Sequence, residues 1–221
     1  MSLALRQDVF FCRANNQIAL LDLRADRYFS LPAVAIATFE KLARGDDLED
    51  IEIRSLSPLI KANLLVPGDQ HKVVQQEIVL PTHSLLDHSL PTSSIGKIVL
   101  AMVSQVKTTA ILKMGTVCSA IHQIQAHKQE VLKSTPSGTE DIVIRAAADF
   151  LATRVFISTQ DRCLPRSIAL MHYLLGKSLP ASLVVGVQMT PFIGHAWVQY
   201  GDMILNDRVD EVLPYTPIMV V

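Results

Sequence analysis

Residues 161–207 read DRCLPRSIALMHYLLGKSLPASLVVGVQMTPFIGHAWVQYGDMILND, and two periodicities meet there. From Asp161 to Gly176 the apolar residues Ile168, Met171, Leu174 and Leu175 recur at helical spacing. Pro165 suits a first helical turn, and Gly176 sits where a helix ends. From Ser182 the pattern turns to β, as SLVVGVQM, HAWVQY and MILND, the last two joined at Gly201-Asp202. A helix feeding an antiparallel sheet predicts an α+β fold.

Upstream of this stretch the second half of the chain is helical. Ser93 or Ser94 is placed to cap a helix whose Ile95, Ile98, Val99, Met102, Val103 and Val106 form one wide face, a pattern expected to point into a core. Gly115 punctuates it, and Val117 to about Leu132 reads as a second helix. Ser137 followed by Glu140 has the capping-box form ahead of Ile142, Ile144, Ala147, Phe150 and Leu151.

The first part of the chain begins with three short strands, Val9–Cys12, Ile18–Leu23 and Arg27–Leu31, separated by turn residues. Pro32, with Ser30 as candidate N-cap, opens a helix running through Val34, Ile36, Phe39 and Leu42 to Gly45. After the acidic stretch Asp46–Glu52, Ser57 and Pro58 open a last short helix ending near Leu65–Gly68. Three strands then three helices make a winged-helix-like module. Pro81, Pro91 and scattered His, Ser and Thr mark a connector. The expected organisation is residues 1–78 as this module, 79–93 as linker, and 94–221 as a domain with helices first and sheet last.

Charge excludes one function class, because 20 Lys+Arg face 21 Asp+Glu and no segment is basic enough to neutralise nucleic-acid phosphates. Apolar residues at 49% against 19% charged exclude a disordered chain. The longest uninterrupted apolar run, Ile98–Val103, falls far short of the ~18 residues of a membrane span. Arg6, Gln7 and Asp8 interrupt the N-terminus, so no signal-peptide core is expected there. A cytoplasmic protein that engages no membrane is expected. Cys12, Cys118 and Cys163 are too few and too scattered for a disulfide framework or a zinc knuckle, and no metal site is expected.

Cys163 stands where a helix begins. There the helix dipole and unsatisfied backbone N–H groups favour thiolate over thiol, and Arg162 and Arg166 add positive charge. A nucleophilic cysteine needs a base, and the base needs an orienting partner. His195 opens one strand and Asp207 closes the next. A two-residue loop at Gly201-Asp202 would set Asp207 opposite Ala196, on the wrong face. A three-residue loop, Tyr200-Gly201-Asp202, pairs Gln199 with Met203, Trp197 with Leu205 and His195 with Asp207, and this second register is the expected one.

The blocks Arg162-Cys163-Leu164-Pro165-Arg166-Ser167, Val185-Gly186-Val187, Gly194-His195-Ala196-Trp197-Val198 and Asn206-Asp207 resemble the transglutaminase-like cysteine peptidases of lasso-peptide biosynthesis, the B proteins. The Cys–His and His–Asp separations of 32 and 12 residues match that pattern. The N-terminal module is similar to the leader-recognition element related to the small PQQ-biosynthesis chaperone. The resemblance implies Cys163 as nucleophile, His195 as base and Asp207 as orienter. It implies cleavage of a ribosomal precursor peptide between leader and core. The freed core amine is then closed onto a side chain by a partner, an asparagine-synthetase-like cyclase that uses ATP. No cofactor of the chain's own is implied. Leader binding would add a strand beside Arg27–Leu31, with Tyr28, Phe29 and Leu31 in contact and Leu59 and Leu64 contributing from the last short helix. The Cys163 backbone N–H, with Gln160 as a side-chain donor, is the candidate oxyanion hole.

Other readings compete. Cys118 and His122, four residues apart with His127 beyond, could ligate a metal but lack a fourth ligand and read better as packing. His172 reads as packing, Asp202 as a turn residue and Asp210 as a rival orienter, and Trp197 closes the core beside the site. An amine-accepting transglutaminase or amidase would use the same three residues, and a non-catalytic peptide chaperone could keep the fold. Part of the apolar surplus is expected as an exposed patch near Tyr28, Phe29 or the helices at 95–132.

Overall fold

A computed structural model describes residues 3–68, 78–133, 139–155 and 163–221. The chain begins with β1 (Leu3–Leu5), followed by the meander β2 (Val9–Ala14), β3 (Gln17–Asp22) and β4 (Arg27–Ser30). Asn15 and Asn16 both take positive φ at the first turn, the backbone of a tight hairpin whose twist suits the strands. The uninterrupted apolar run of β3 follows from burial on both faces. One face, with Cys12, Ala19, Leu21 and Tyr28, packs on the C-terminal core, and the other, with Ile18, Leu20 and Phe29, packs on helices. Those helices are α1 (Ala33–Arg44), α2 (Asp50–Ser55) and α3 (Ser57–Lys61).

Three N-terminal expectations need correction. The α1 N-cap is Pro32, because Ser30 is still committed to the β4 ladder. The helix starting at Ser57 stops at Lys61, and residues expected at its end instead form β5 (Leu65–Pro67), which pairs with β1. Leu31, Leu59 and Leu64 are buried in the core beneath the helices. Their side chains therefore present no surface to a leader.

The stretch expected as a linker is built into the second sheet. Its β6 (His83–Ser84) pairs in parallel with a late strand, and a 3-10 turn at Leu85–Asp87 follows. Then come α4 (Ile95–Met114), with Ser94 at its N-cap position but making no side-chain capping bond and with Gly115 ending it as expected, α5 (Val117–Lys133) and α6 (Glu140–Leu151). Thr139 is the α6 N-cap, which puts Glu140 at the first helical position and not the third that a capping box requires. Ser137 lies outside the described residues.

The face of α4 expected to point inward is on the outside. Ile95, Val99, Val103 and Val106 are more than half exposed, while the buried residues are the small Ala101 and Thr108. Small residues let α4 approach α7 closely, while Ile98 and Met102 of the expected face are half-buried and Ile111 and Leu112 pack against the core. By length and composition α4 is apolar enough to cross a membrane, which polar residues scattered along it conceal from a search for uninterrupted runs. The expected exposed apolar patch is this face.

The remainder is α7 (Cys163–Leu175), the hairpin β7 (Ser182–Met189) and β8 (Phe192–Tyr200), the short β9 (Met203–Ile204), α8 (Val209–Val212) and β10 (Thr216–Val220). The five-stranded sheet runs β10-β7-β8-β9-β6, and α7 lies against β7 and β8 with α4, α5 and α6 packed around it.

Candidate active site

Cys163 is the first residue of α7. Its helix is fixed by an apolar stripe in which Ile168, Leu170, Met171 and Leu174 are fully buried, so the sulfur is held at a helix N-terminus against β8. A hydrogen bond with His195 draws the Cys163 thiol below its ordinary value despite opposing burial, and backbone N–H groups of Ala196 and Leu164 assist.

His195 Nε2 lies 2.7 Å from Asp207 Oδ2, which leaves Nδ1 for the Cys163 side. Burial disfavours the imidazolium, but Asp207 and the Cys163 sulfur together outweigh it and push His195 up to about 9. Burial likewise opposes ionisation of Asp207. Hydrogen bonds from His195 and from the Arg208 N–H, the latter 2.9 Å, nonetheless hold it below the usual carboxylate range. A lowered thiol beside a raised imidazole describes a thiolate–imidazolium pair oriented by a carboxylate.

The expected strand register is wrong, although the contact it was meant to provide is made. Tyr200 pairs with Met203 and Gln199 with Ile204, which is the two-residue loop, with Gly201 at positive φ. Continued as a strand, that register would place Asp207 opposite Ala196. The ladder instead stops at Ile204 and the chain bends through residues 205–207. Leu205 N–H still donates to Val198 O, but the next acceptor is a side chain, with Asn206 Oδ1 taking the Val198 N–H at 2.7 Å. Asn206 Nδ2 donates to Ser167 Oγ at 3.0 Å, and Ser167 donates to Ala196 O at 3.0 Å. Arg154 donates to Asn206 O at 2.6 Å, and Ser84 of β6 donates to Asp207 O. The bend swings Asp207 back toward His195.

Sequence reasoning gave no role to Asn206, Ser167, Arg154 or Ser84. The available signal was Asn206 and Ser167, polar residues at positions the surrounding apolar pattern buries. Gly186, opposite His195 in the ladder, is needed for space, since a Cβ there would lie 2.9 Å from both Trp197 Cζ3 and Tyr215 Cβ. The Tyr215 ring sits 5.0 Å from His195 and Trp197 is buried beside it, as expected for a residue closing the core. The positive charge facing Asp207 comes from Arg154 and Arg166, the latter pulled down to about 10 by burial and by Arg154. Gln160 and Arg162 lie outside the described residues.

Tyr28 and Phe29 part company. Phe29 joins the helical core of the N-terminal module, whereas Tyr28 reaches across to β8, its ring 5.4 Å from Phe192 and its hydroxyl against Gly194. Burial raises its phenol to about 12, with Asp26 and Cys163 adding to the effect.

Elsewhere, Asp8, Cys118 and His122 bring ligand atoms within 4.8 Å of one another, a grouping that could hold a metal ion and that the sequence showed only as Cys118 and His122. His122 Nε2 is 2.7 Å from Asp8 Oδ1, and Arg24 is 2.7 Å from the other oxygen. These contacts join the turn after β3 to α5 through Asp8, which precedes β2. His127 and His172 line a separate cavity of about 450 Å³ between α4, α5 and α7. Asp202 bonds to Thr82 at the sheet edge, away from His195.

A sequence model of the transglutaminase-like superfamily matches residues 108–220, just over half the chain. A segment of 45 residues is 42% identical to the microcin J25-processing protein McjB of Escherichia coli and covers 20% of this chain and 22% of that protein. No solved structure matches. The matched span runs from within α4 to β10 and takes in α7, the hairpin and the bend at Asn206, and the chain belongs to the transglutaminase-like superfamily.

Proposed function

We propose that this chain is a cysteine peptidase of lasso-peptide maturation, acting in the cytoplasm to hydrolyse the bond between leader and core of a ribosomal precursor. The observation that carries the reading is the alignment of Cys163, His195 and Asp207, with the 2.7 Å imidazole–carboxylate bond behind a lowered thiol. The partial likeness to McjB supports the pathway.

In this mechanism the Cys163 thiolate adds to the scissile carbonyl carbon, and the oxyanion that forms is held by backbone N–H groups at the α7 N-terminus. The C–N bond breaks as His195 delivers its proton to the departing amine, leaving a thioester. Water, giving a proton to His195, attacks the thioester and releases the leader carboxylate and the thiolate. Asp207 keeps the imidazole oriented throughout. No cofactor enters these steps. The freed core amine is the substrate of a separate, ATP-using cyclase. The leader is held by the N-terminal module beside β4, whose outer edge carries no strand among the described residues.

Mass analysis of a precursor peptide incubated with the chain tests the proposal. Separate leader and core are expected, with none from Cys163→Ala. Transfer of the leader to an added amine in place of water would make the chain a transglutaminase, and an intact peptide with both proteins would make it a binding protein.

A further inference from the structure

Tyr28 of the N-terminal meander reaches β8 beside the candidate site. Its hydroxyl lies 3.2 Å from where a Cβ on Gly194 would stand, so the absent side chain at Gly194 admits it. Its ring meets that of Phe192 edge-on at 5.4 Å, and Phe192 and Ile193 are each more than two-fifths exposed. The Cys163 sulfur is among the charges that raise the Tyr28 phenol. Among the described residues, Gly194 is exposed and β9 pairs with β8 only at Gln199 and Tyr200. Ala196 turns its N–H and C=O away from β7, toward Cys163 and Ser167. By the two-residue alternation of an antiparallel ladder, Gly194 turns its own N–H and C=O to that same outer edge.

We propose that Tyr28, Phe192 and the outer edge of Gly194 form a peptide subsite spanning the two parts of the chain. It takes an extended segment on the acyl side of the scissile bond and lays one apolar side chain against the two rings. This rests on the peptidase reading, in which the leader precedes the cut and runs along the strand that carries Tyr28. Pairing with Gly194 fixes the peptide backbone, and the rings supply the apolar contact. Tyr28 thus carries a side chain of the leader-bearing strand to the backbone next to His195. Specificity next to the cut is therefore set partly by the N-terminal module.

The test compares two alkylating reagents on Cys163, iodoacetamide and the chloromethyl ketone of acetyl-Val-Val-Ala, with adducts located by mass spectrometry. The readout is the ratio of the peptidyl rate to the iodoacetamide rate. In Tyr28→Ala and in Phe192→Ser the ratio is expected to fall about tenfold, the scale of losing one well-packed aromatic anchor. Tyr28→Phe, which keeps the ring, is expected to restore the native ratio. Phe192 is partly exposed, so Phe192→Ser keeps the test alive should Tyr28→Ala unfold. Native ratios in both truncated variants would overturn the subsite while leaving the nucleophile intact. Native Cys163 that iodoacetamide fails to label at neutral pH would instead overturn the peptidase reading itself.

Discussion

Replacing Asp207 by Asn removes the charge that keeps His195 protonated while preserving size. His195 stands at about 9 against an ordinary 6.5, a difference of roughly 3 kcal/mol at about 1.4 kcal/mol per pH unit. Asp207 and the Cys163 sulfur both contribute to it. Burial opposes the shift, so the two partners together supply more than this net, and an even division assigns Asp207 at least about 1.5 kcal/mol, a factor of about ten or more. The sign follows from the direction of each shift. The imidazolium is favoured below its raised value and is lost as pH climbs through about 9, so the alkaline limb of reactivity falls there in the native chain. Without Asp207 that limb should move down by at least about one pH unit. The thiol, losing part of its cationic partner, should ionise at higher pH, so the two limbs close on each other. The assay is the rate of precursor cleavage across pH, read by mass spectrometry, because the proton that His195 gives to the departing amine sets the alkaline limb, whereas alkylation would need only the thiolate. A profile for Asp207→Asn that overlays the native one would refute the ion-pair reasoning.

The bend at Asn206 and the tight packing at Gly186 each set an expected outcome. Asn206→Ala strands the Val198 N–H in the interior and should cost about 1–3 kcal/mol in chemical denaturation, with slower Cys163 labelling. Asn206→Asp keeps that acceptor but not the donor to Ser167, and should recover part of both losses. Gly186→Ala forces its methyl against Trp197 and Tyr215 and should destabilise by about 1–3 kcal/mol, visible as a lower thermal midpoint and a displaced His195 resonance in NMR.

The local elements were legible because their signals are local. The turn at Asn15-Asn16, Ser94 ahead of α4, and the apolar stripe behind Cys163 each state their structure within one or two turns of chain. The register of β9 was not legible. Strict alternation argues against a two-residue loop because it would misdirect Asp207, yet alternation ends at Ile204 and a side chain, Asn206, takes over a backbone bond. Alternation counts residues within a strand and carries no information on where the strand stops. The face of α4 misled for a related reason. A moment shows that the two sides of a helix differ but not which side meets a neighbour, and here close packing chose Ala101 and Thr108. Contacts made across the chain, Tyr28 on Gly194 or Ser84 on Asp207, have no local signature at all.

The pairing of β6 with β9 has a kinetic consequence. The meander closes through turns of a few residues, whereas Thr82 and Asp202, like Ser84 and Asp207, meet across some 120 positions. Closing so long a loop is entropically costly and slow beside hairpin formation. During synthesis the N-terminal strands therefore have time to fold before Asp207 has left the ribosome. The cysteine acquires its oriented base last, so a nascent or truncated chain would display its N-terminal surface well before it carried a reactive thiolate.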